Sequence, residues 1–136
     1  MKIYTVARKC CDGIDVGVVL RNNNDEICLK SGFKVADFKE YEGHLMGIRR
    51  GLSYIKNVKP QNLDEDVICI FSSKDSEWIN LRLKEDRYIR TLKKYLHINI
   101  DTKEPTKDDE QYLNIANTYS KSYGIKEFVL NSNQYE

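Results

Sequence analysis

The chain has 136 residues, 40% hydrophobic and 32% charged, with a net charge of +1. That balance suits one compact soluble domain of ordinary size and excludes a uniformly basic nucleic-acid binder, leaving room for a local basic patch. No apolar run approaches the about 20 residues of a membrane span, and the start lacks the pattern of a secretory signal, so the expectation is a cytoplasmic protein without a membrane partner.

The first strand is expected from Lys2 to Ala7 and the second from Val16 to Arg21, where "VGVVL" supplies β-branched residues suited to a buried pleated surface. After the polar turn "RNNND", Glu26 to Val35 alternates Ile27, Leu29, Ser31 and Phe33 with Cys28, Lys30, Gly32 and Lys34, the period of a third strand. Short polar loops between the three imply an antiparallel meander.

The period changes after Asp37. Tyr41, Leu45, Ile48, Leu52 and Ile55 recur at steps of four and three, predicting an amphipathic helix that ends before Pro60. "VICIF", Val67 to Phe71, is continuously apolar and of strand length, as in a central strand covered on both faces with parallel neighbours. From Asp75 to Tyr95 the apolar residues Trp78, Ile89, Leu92 and Leu96 share a face, but Lys84, Glu85 and Asp86 interrupt it, predicting two consecutive helices. "HINI", His97 to Ile100, reads as a fifth strand, and Glu110 to Ser122 as a last helix capped by Asp108 or Asp109. The remaining tail holds one apolar patch, "FVL", and otherwise is expected to fray.

Of the four cysteines, Cys10 and Cys11 are adjacent and Cys28 and Cys69 fall in predicted strands, with no C-x-x-C pair. Reduced thiols are therefore expected rather than a disulfide framework or zinc ribbon. Adjacent cysteines are strained as simultaneous ligands, which argues against a metal site of Cys10, Cys11, His44 and His97.

Three meandering strands, a helix, a strand, one or two helices, a strand and a closing helix form an order that resembles the ribonuclease H family from Lys2 to Tyr119. The wording agrees locally: "KIYT" and "VGVVL" are similar to the family's first hairpin, "LMGIRRGL" to its first helix, "ICIFSS" to its fourth strand and "LNIANTYS" to its closing helix. The resemblance implies an α/β fold with a five-stranded mixed sheet in the order 3-2-1-4-5 flanked by helices, forming a single domain over 1–123 with a tail over 124–136. It also implies cleavage of the RNA strand of an RNA-DNA hybrid, with acidic residues holding two divalent ions, Mg or Mn. Such a site needs clustered carboxylates because two cations about 4 Å apart must be neutralised while one activates water and the other stabilises the leaving oxygen.

The family's four acids map onto Val6, His44, Ser73 and Leu113, none of them acidic. Substitutes for a rebuilt site are Glu42, Asp75, Asp101 and Asp109. Three have a competing use or placement: Glu42 turns about 100° away from the apolar stripe of its helix, and Asp75 and Asp109 stand before helices where acids serve as caps; Asp101, at the end of the fifth strand, is the remaining candidate. His44 lies about 60° from the centre of that stripe, the position of a satisfied core-edge histidine as readily as of a general base. Cys10 or Cys11 beside Arg8 and Lys9 has a positive field but no base to make it a nucleophile.

A cationic surface is offered by Arg82, Lys84, Arg87, Arg90, Lys93 and Lys94 in the second helical region, with Arg8 and Lys9 in the hairpin. Glu85 and Asp86 interleave with it, as on an ordinary solvated helix face. The leading reading is a ribonuclease H-like domain that has lost metal-dependent hybrid cleavage, needs no cofactor and binds nucleic acid or a protein partner. The alternatives are a divergent two-metal ribonuclease H using the shifted carboxylates, for which Mg or Mn is required, and a protein-interaction scaffold that binds no nucleic acid.

Overall fold

The computed structural model of the chain describes residues 1–10, 13–22, 24–36, 40–58, 67–74, 76–121 and 125–127. Its strands are β1 (Lys2–Cys10), β2 (Gly13–Arg21), β3 (Ile27–Val35), β4 (Val67–Ser72), β5 (Asn99–Thr102) and β6 (Ile125–Glu127). Its helices are α1 (Glu40–Val58), α2 (Ser76–Glu85), α3 (Arg87–Leu96) and α4 (Lys107–Ser120).

The strands form one mixed sheet in the order β5-β4-β1-β2-β3-β6. The expected 3-2-1-4-5 arrangement is present: β1, β2 and β3 form the antiparallel meander, and β4 lies parallel to both β1 and β5. One strand more than expected extends it, because Ile125–Glu127, in a segment expected to fray, pairs antiparallel with Leu29–Ser31 of β3. The "FVL" patch at 128–130 lies outside the described residues.

Alternation along the strands divides the interior into two layers. Ile3, Val18, Leu20, Ile68 and Ile70 pack on one face with Ile48, Leu52 and Ile55 of α1, joined by Ile79 and Leu83 of α2 and Ile89 and Leu92 of α3. On the opposite face Tyr4, Val6, Val19 and Phe71 meet Tyr112, Leu113 and Ala116 of α4. "VICIF" contributes to both layers, which explains its unbroken apolar character.

α4 docks closely because β2 and β3 present glycines beneath it. A Cβ at Gly17 would fall 1.8 Å from the Ala116 carbonyl oxygen, and one at Gly32 would fall 1.7 Å from that of Tyr119.

Several element ends differ from the sequence reading. The helical region does divide at Asp86, whose carboxylate accepts the Ile89 N–H over 2.9 Å and caps α3. His97 ends α3 in the left-handed region at φ 55°, so the fifth strand begins at Asn99 rather than His97. α4 starts three residues earlier than expected, at Lys107, with Thr106 as its cap. Asp109 is the third residue of that first turn rather than the cap, and closes a capping box with Thr106.

Candidate functional site

The site implied by the family lies where β1 and β4 run side by side, with Thr5 and Ser72 as register partners. α1 crosses this pair, and Gly47 permits the approach, since a Cβ there would come within 2.1 Å of Thr5 Oγ1. The crossing buries His44 to 1% exposure and sets its Nδ1 3.0 Å from Ser72 Oγ. Ser72 Oγ also accepts the Lys74 backbone N–H over 3.0 Å, and Thr5 Oγ1 donates to the His44 carbonyl over 3.4 Å. Burial, with the Lys74 charge adding to it, pushes the imidazole down to about 4, so the ring is neutral at physiological pH.

The four positions matched to the family's acids divide between the two layers. Val6 is buried against α4 in the cluster of Tyr4, Val19 and Phe71, and Leu113 packs on that same cluster. His44 is on the α1 side, and Ser73 is exposed, its backbone N–H donating to the Thr5 carbonyl over 3.3 Å. The serine directed at His44 is Ser72, its immediate neighbour.

Among the described residues the possible substitute acids form no metal-holding group. Glu42 is half-buried on α1, Asp101 is exposed on β5, and Asp109 is buried at the start of α4 on the other side of the sheet; Asp75 lies outside the described residues. Asp101 sits within β5 rather than closing it, paired with Cys69. Asp109 is occupied: Oδ1 accepts the Tyr4 hydroxyl over 2.9 Å, and Oδ2 accepts both the Thr106 N–H and hydroxyl, each at 2.9 Å. Burial alone raises a carboxyl's pKa, but these hydrogen bonds outweigh it and hold Asp109 below the usual range. Arg21 completes this layer, donating to Tyr4 Oη over 3.0 Å and lying 3.9 Å above the Tyr112 ring.

Among the described residues no group of three or more His, Cys, Asp or Glu side chains is placed to hold a metal ion. Among the described residues Cys10, Cys28 and Cys69 form no disulfide, and burial pushes the Cys28 thiol up to about 12. Cys11 lies outside the described residues, while His97, at the end of α3, is exposed and His44 is buried. Hard divalent ions take carboxylate oxygens, and Val6, His44, Ser73 and Leu113 provide none. These positions do not fit the metal pair that the fold implies.

The cationic residues have unequal surroundings. Arg8 pairs with buried Asp15 at 3.1 Å, and Arg82 pairs with Glu85 at 3.4 Å while lying 5.5 Å from the Trp78 ring. Lys9 is exposed in the β1–β2 hairpin, and Lys84 is exposed on α2. Arg87, Arg90, Lys93 and Lys94 are all exposed on α3, because Ile89 and Leu92 take its inward face. None of these four forms an ion pair among the described residues. Arg90, Lys93 and Lys94 line, with His97 and Ile98, an open groove of about 590 Å³.

Solved structures share this arrangement. The RNase H1 of the halophilic archaeon Halobacterium salinarum NRC-1 superposes with a TM-score of 0.58 over 89% of this chain and 97% of its own, at 13% identity. The chain has the ribonuclease H-like fold. LC11-RNase H1, solved in complex with an RNA/DNA hybrid, matches with a TM-score of 0.58 over 89% of this chain and 96% of its own, at 12% identity. A foamy viral protease-reverse transcriptase in complex with dsDNA matches with a TM-score of 0.56 over 89% and 94%, at 10% identity. No family model matches the chain, and no curated protein matches it. Among the described residues no helix is long and apolar enough to cross a membrane.

Proposed function

We propose that this chain is a ribonuclease H-like domain that binds nucleic acid without cleaving it by the two-metal route. The reading is supported by the hydrogen-bonded Ser72–His44 pair on one face and the apolar Val6 and Leu113 on the other, at or beside the positions matched to the family's acids. A neutral, buried imidazole and apolar side chains can neither balance two dications nor keep them hydrated.

Binding rests on a different feature, the exposed row Arg87, Arg90, Lys93 and Lys94 on α3. Cations that form no ion pair among the described residues gain from releasing the counterions condensed on a phosphate backbone, which the already paired Arg8 and Arg82 do less readily. Solved structures of this fold in complex with an RNA/DNA hybrid and with dsDNA support a nucleic-acid partner. Binding isotherms across a salt series test the reading: affinity falls with salt, by a slope of about 0.9 per neutralised phosphate on duplex DNA. Absence of salt-sensitive binding to hybrid, duplex and single strands removes it in favour of a protein-interaction scaffold.

A further inference from the structure

The seam between α1 and α3 carries two exposed aromatic rings. Tyr88 is 45% exposed and Tyr95 is 53% exposed, although each stands on a helix whose Ile89 and Leu92 are buried. Seven residues apart at about 1.5 Å per residue, the two lie almost one above the other along α3, about 10 Å apart.

Both rings are held from one side by α1. Arg49, Ser53 and Lys56 fall on one line of that helix, facing α3. The Arg49 guanidinium lies 5.7 Å from the Tyr88 ring centre, and Lys56 Nζ lies 5.1 Å from that of Tyr95. Ser53 Oγ and the Tyr88 hydroxyl are hydrogen-bonded at 2.7 Å. Arg49 is in turn fixed by Asp86, its Nε donating to Oδ2 over 3.2 Å. These contacts orient the tyrosines before any ligand arrives, while about half of each side chain remains open to solvent.

Charge borders the rings on the other side too. At about 100° per residue, Arg87 and Lys94 project about 100° around α3 from the tyrosine line, on the side away from buried Ile89 and Leu92. The surface thus runs from Lys56 on α1, across two ordered aromatic rings, to Arg87 and Lys94 on α3.

We infer that this seam is a stacking platform for unpaired bases, so that the partner is single-stranded nucleic acid rather than duplex alone. The inference rests on the nucleic-acid reading above and narrows it. Bases of a duplex hide their faces in the stack, whereas those of a single strand can lie on Tyr88 and Tyr95 while its phosphates reach the flanking cations. The interval of about 10 Å matches about three stacked nucleotide steps, so four or more nucleotides span both rings.

The test measures binding of the full chain to a labelled oligothymidylate of twelve nucleotides, to an abasic strand with the same phosphates, and to a duplex of equal length. The platform predicts tighter binding to oligothymidylate than to the abasic strand. It also predicts a loss of roughly tenfold for Tyr88→Leu and again for Tyr95→Leu, with recovery in Tyr95→Trp. Because both side chains are exposed, melting curves of the variants should follow that of the parent and exclude misfolding. Unchanged affinity in the double leucine variant, with salt-sensitive binding retained, overturns the platform and leaves the cationic reading standing. Failure of the parent chain to bind any of the three probes overturns both and gives the exposed tyrosines to a protein partner.

Discussion

His44 Nδ1 and Ser72 Oγ stand 3.0 Å apart across the α1–β4 contact, His44 being one of the four positions that the resemblance matches to acids. The hydrogen bond between them gives the pair a structural use, and burial gives it a distinct pH signature. Burial lowers the His44 pKa from 6.5 to about 4. The unfolded chain therefore takes up a proton near pH 6.5 that the folded one refuses until about pH 4, so the histidine's contribution is complete above pH 6.5 and declines as the pH falls toward 4. Urea denaturation should show stability dropping by about 3 kcal/mol over that interval, and His44→Gln should flatten most of the slope. An equal slope in the variant would assign the dependence to other groups.

Tyr4 and Asp109 join β1 to the first turn of α4. Tyr4→Phe leaves the buried Asp109 Oδ1 without its phenolic donor and Arg21 Nη1 without the phenolic acceptor, while Arg21 Nη2 keeps Asp25. The expected loss is about 2 kcal/mol in equilibrium denaturation, with α4 retained because the Thr106 hydrogen bonds remain. A neutral effect would mean that water replaces the phenol fully.

The seat of α4 predicts a sharper response. Ala in place of Gly17 or Gly32 drives a methyl into helix backbone rather than into a side chain that can turn aside. Each change should destabilise by about 3 kcal/mol, and near-parental stability would show that α4 can lift without loss.

On α3, charge reversal at Arg87, Arg90 and Lys94 should weaken binding on the order of 100-fold at low salt, similarly for unrelated sequences, and make the salt dependence shallower. Isotherms at several salt concentrations check this. Stability should barely change, since all three side chains are exposed. A sequence-dependent loss would point to base contacts instead.

The sequence disclosed strands and helices where hydrophobic period was strong and misjudged places where a single residue's local bonding decides. "VICIF" and the Leu45–Ile55 stripe identify a central strand and its covering helix because burial on two faces or on one leaves different periods. His97 looks like the start of a strand, yet its left-handed backbone ends α3, a conformation that no apolar pattern reports. Thr106 escaped as a cap because the box it forms closes on Asp109 rather than on the more usual Glu or Gln three residues later. β6 has three residues, too few for a period, and its pairing comes from the β3 edge. At the site, motif matching reached Ser73, while the β4 pleat directs Ser72 to His44. Tyr88 and Tyr95 had a legible seven-residue spacing, but only the approach of Lys56 and Arg49 from α1 shows them as an ordered pair.

The central claim, binding without two-metal cleavage, is tested most directly by incubating a labelled RNA-DNA hybrid with stoichiometric protein and millimolar Mn, then resolving complex and strand length on parallel native and denaturing gels. The account predicts a retarded complex whose RNA strand stays intact. Cleaved RNA that disappears in Glu42→Ala, Asp75→Ala or Asp101→Ala would contradict it and establish a nuclease rebuilt from displaced carboxylates.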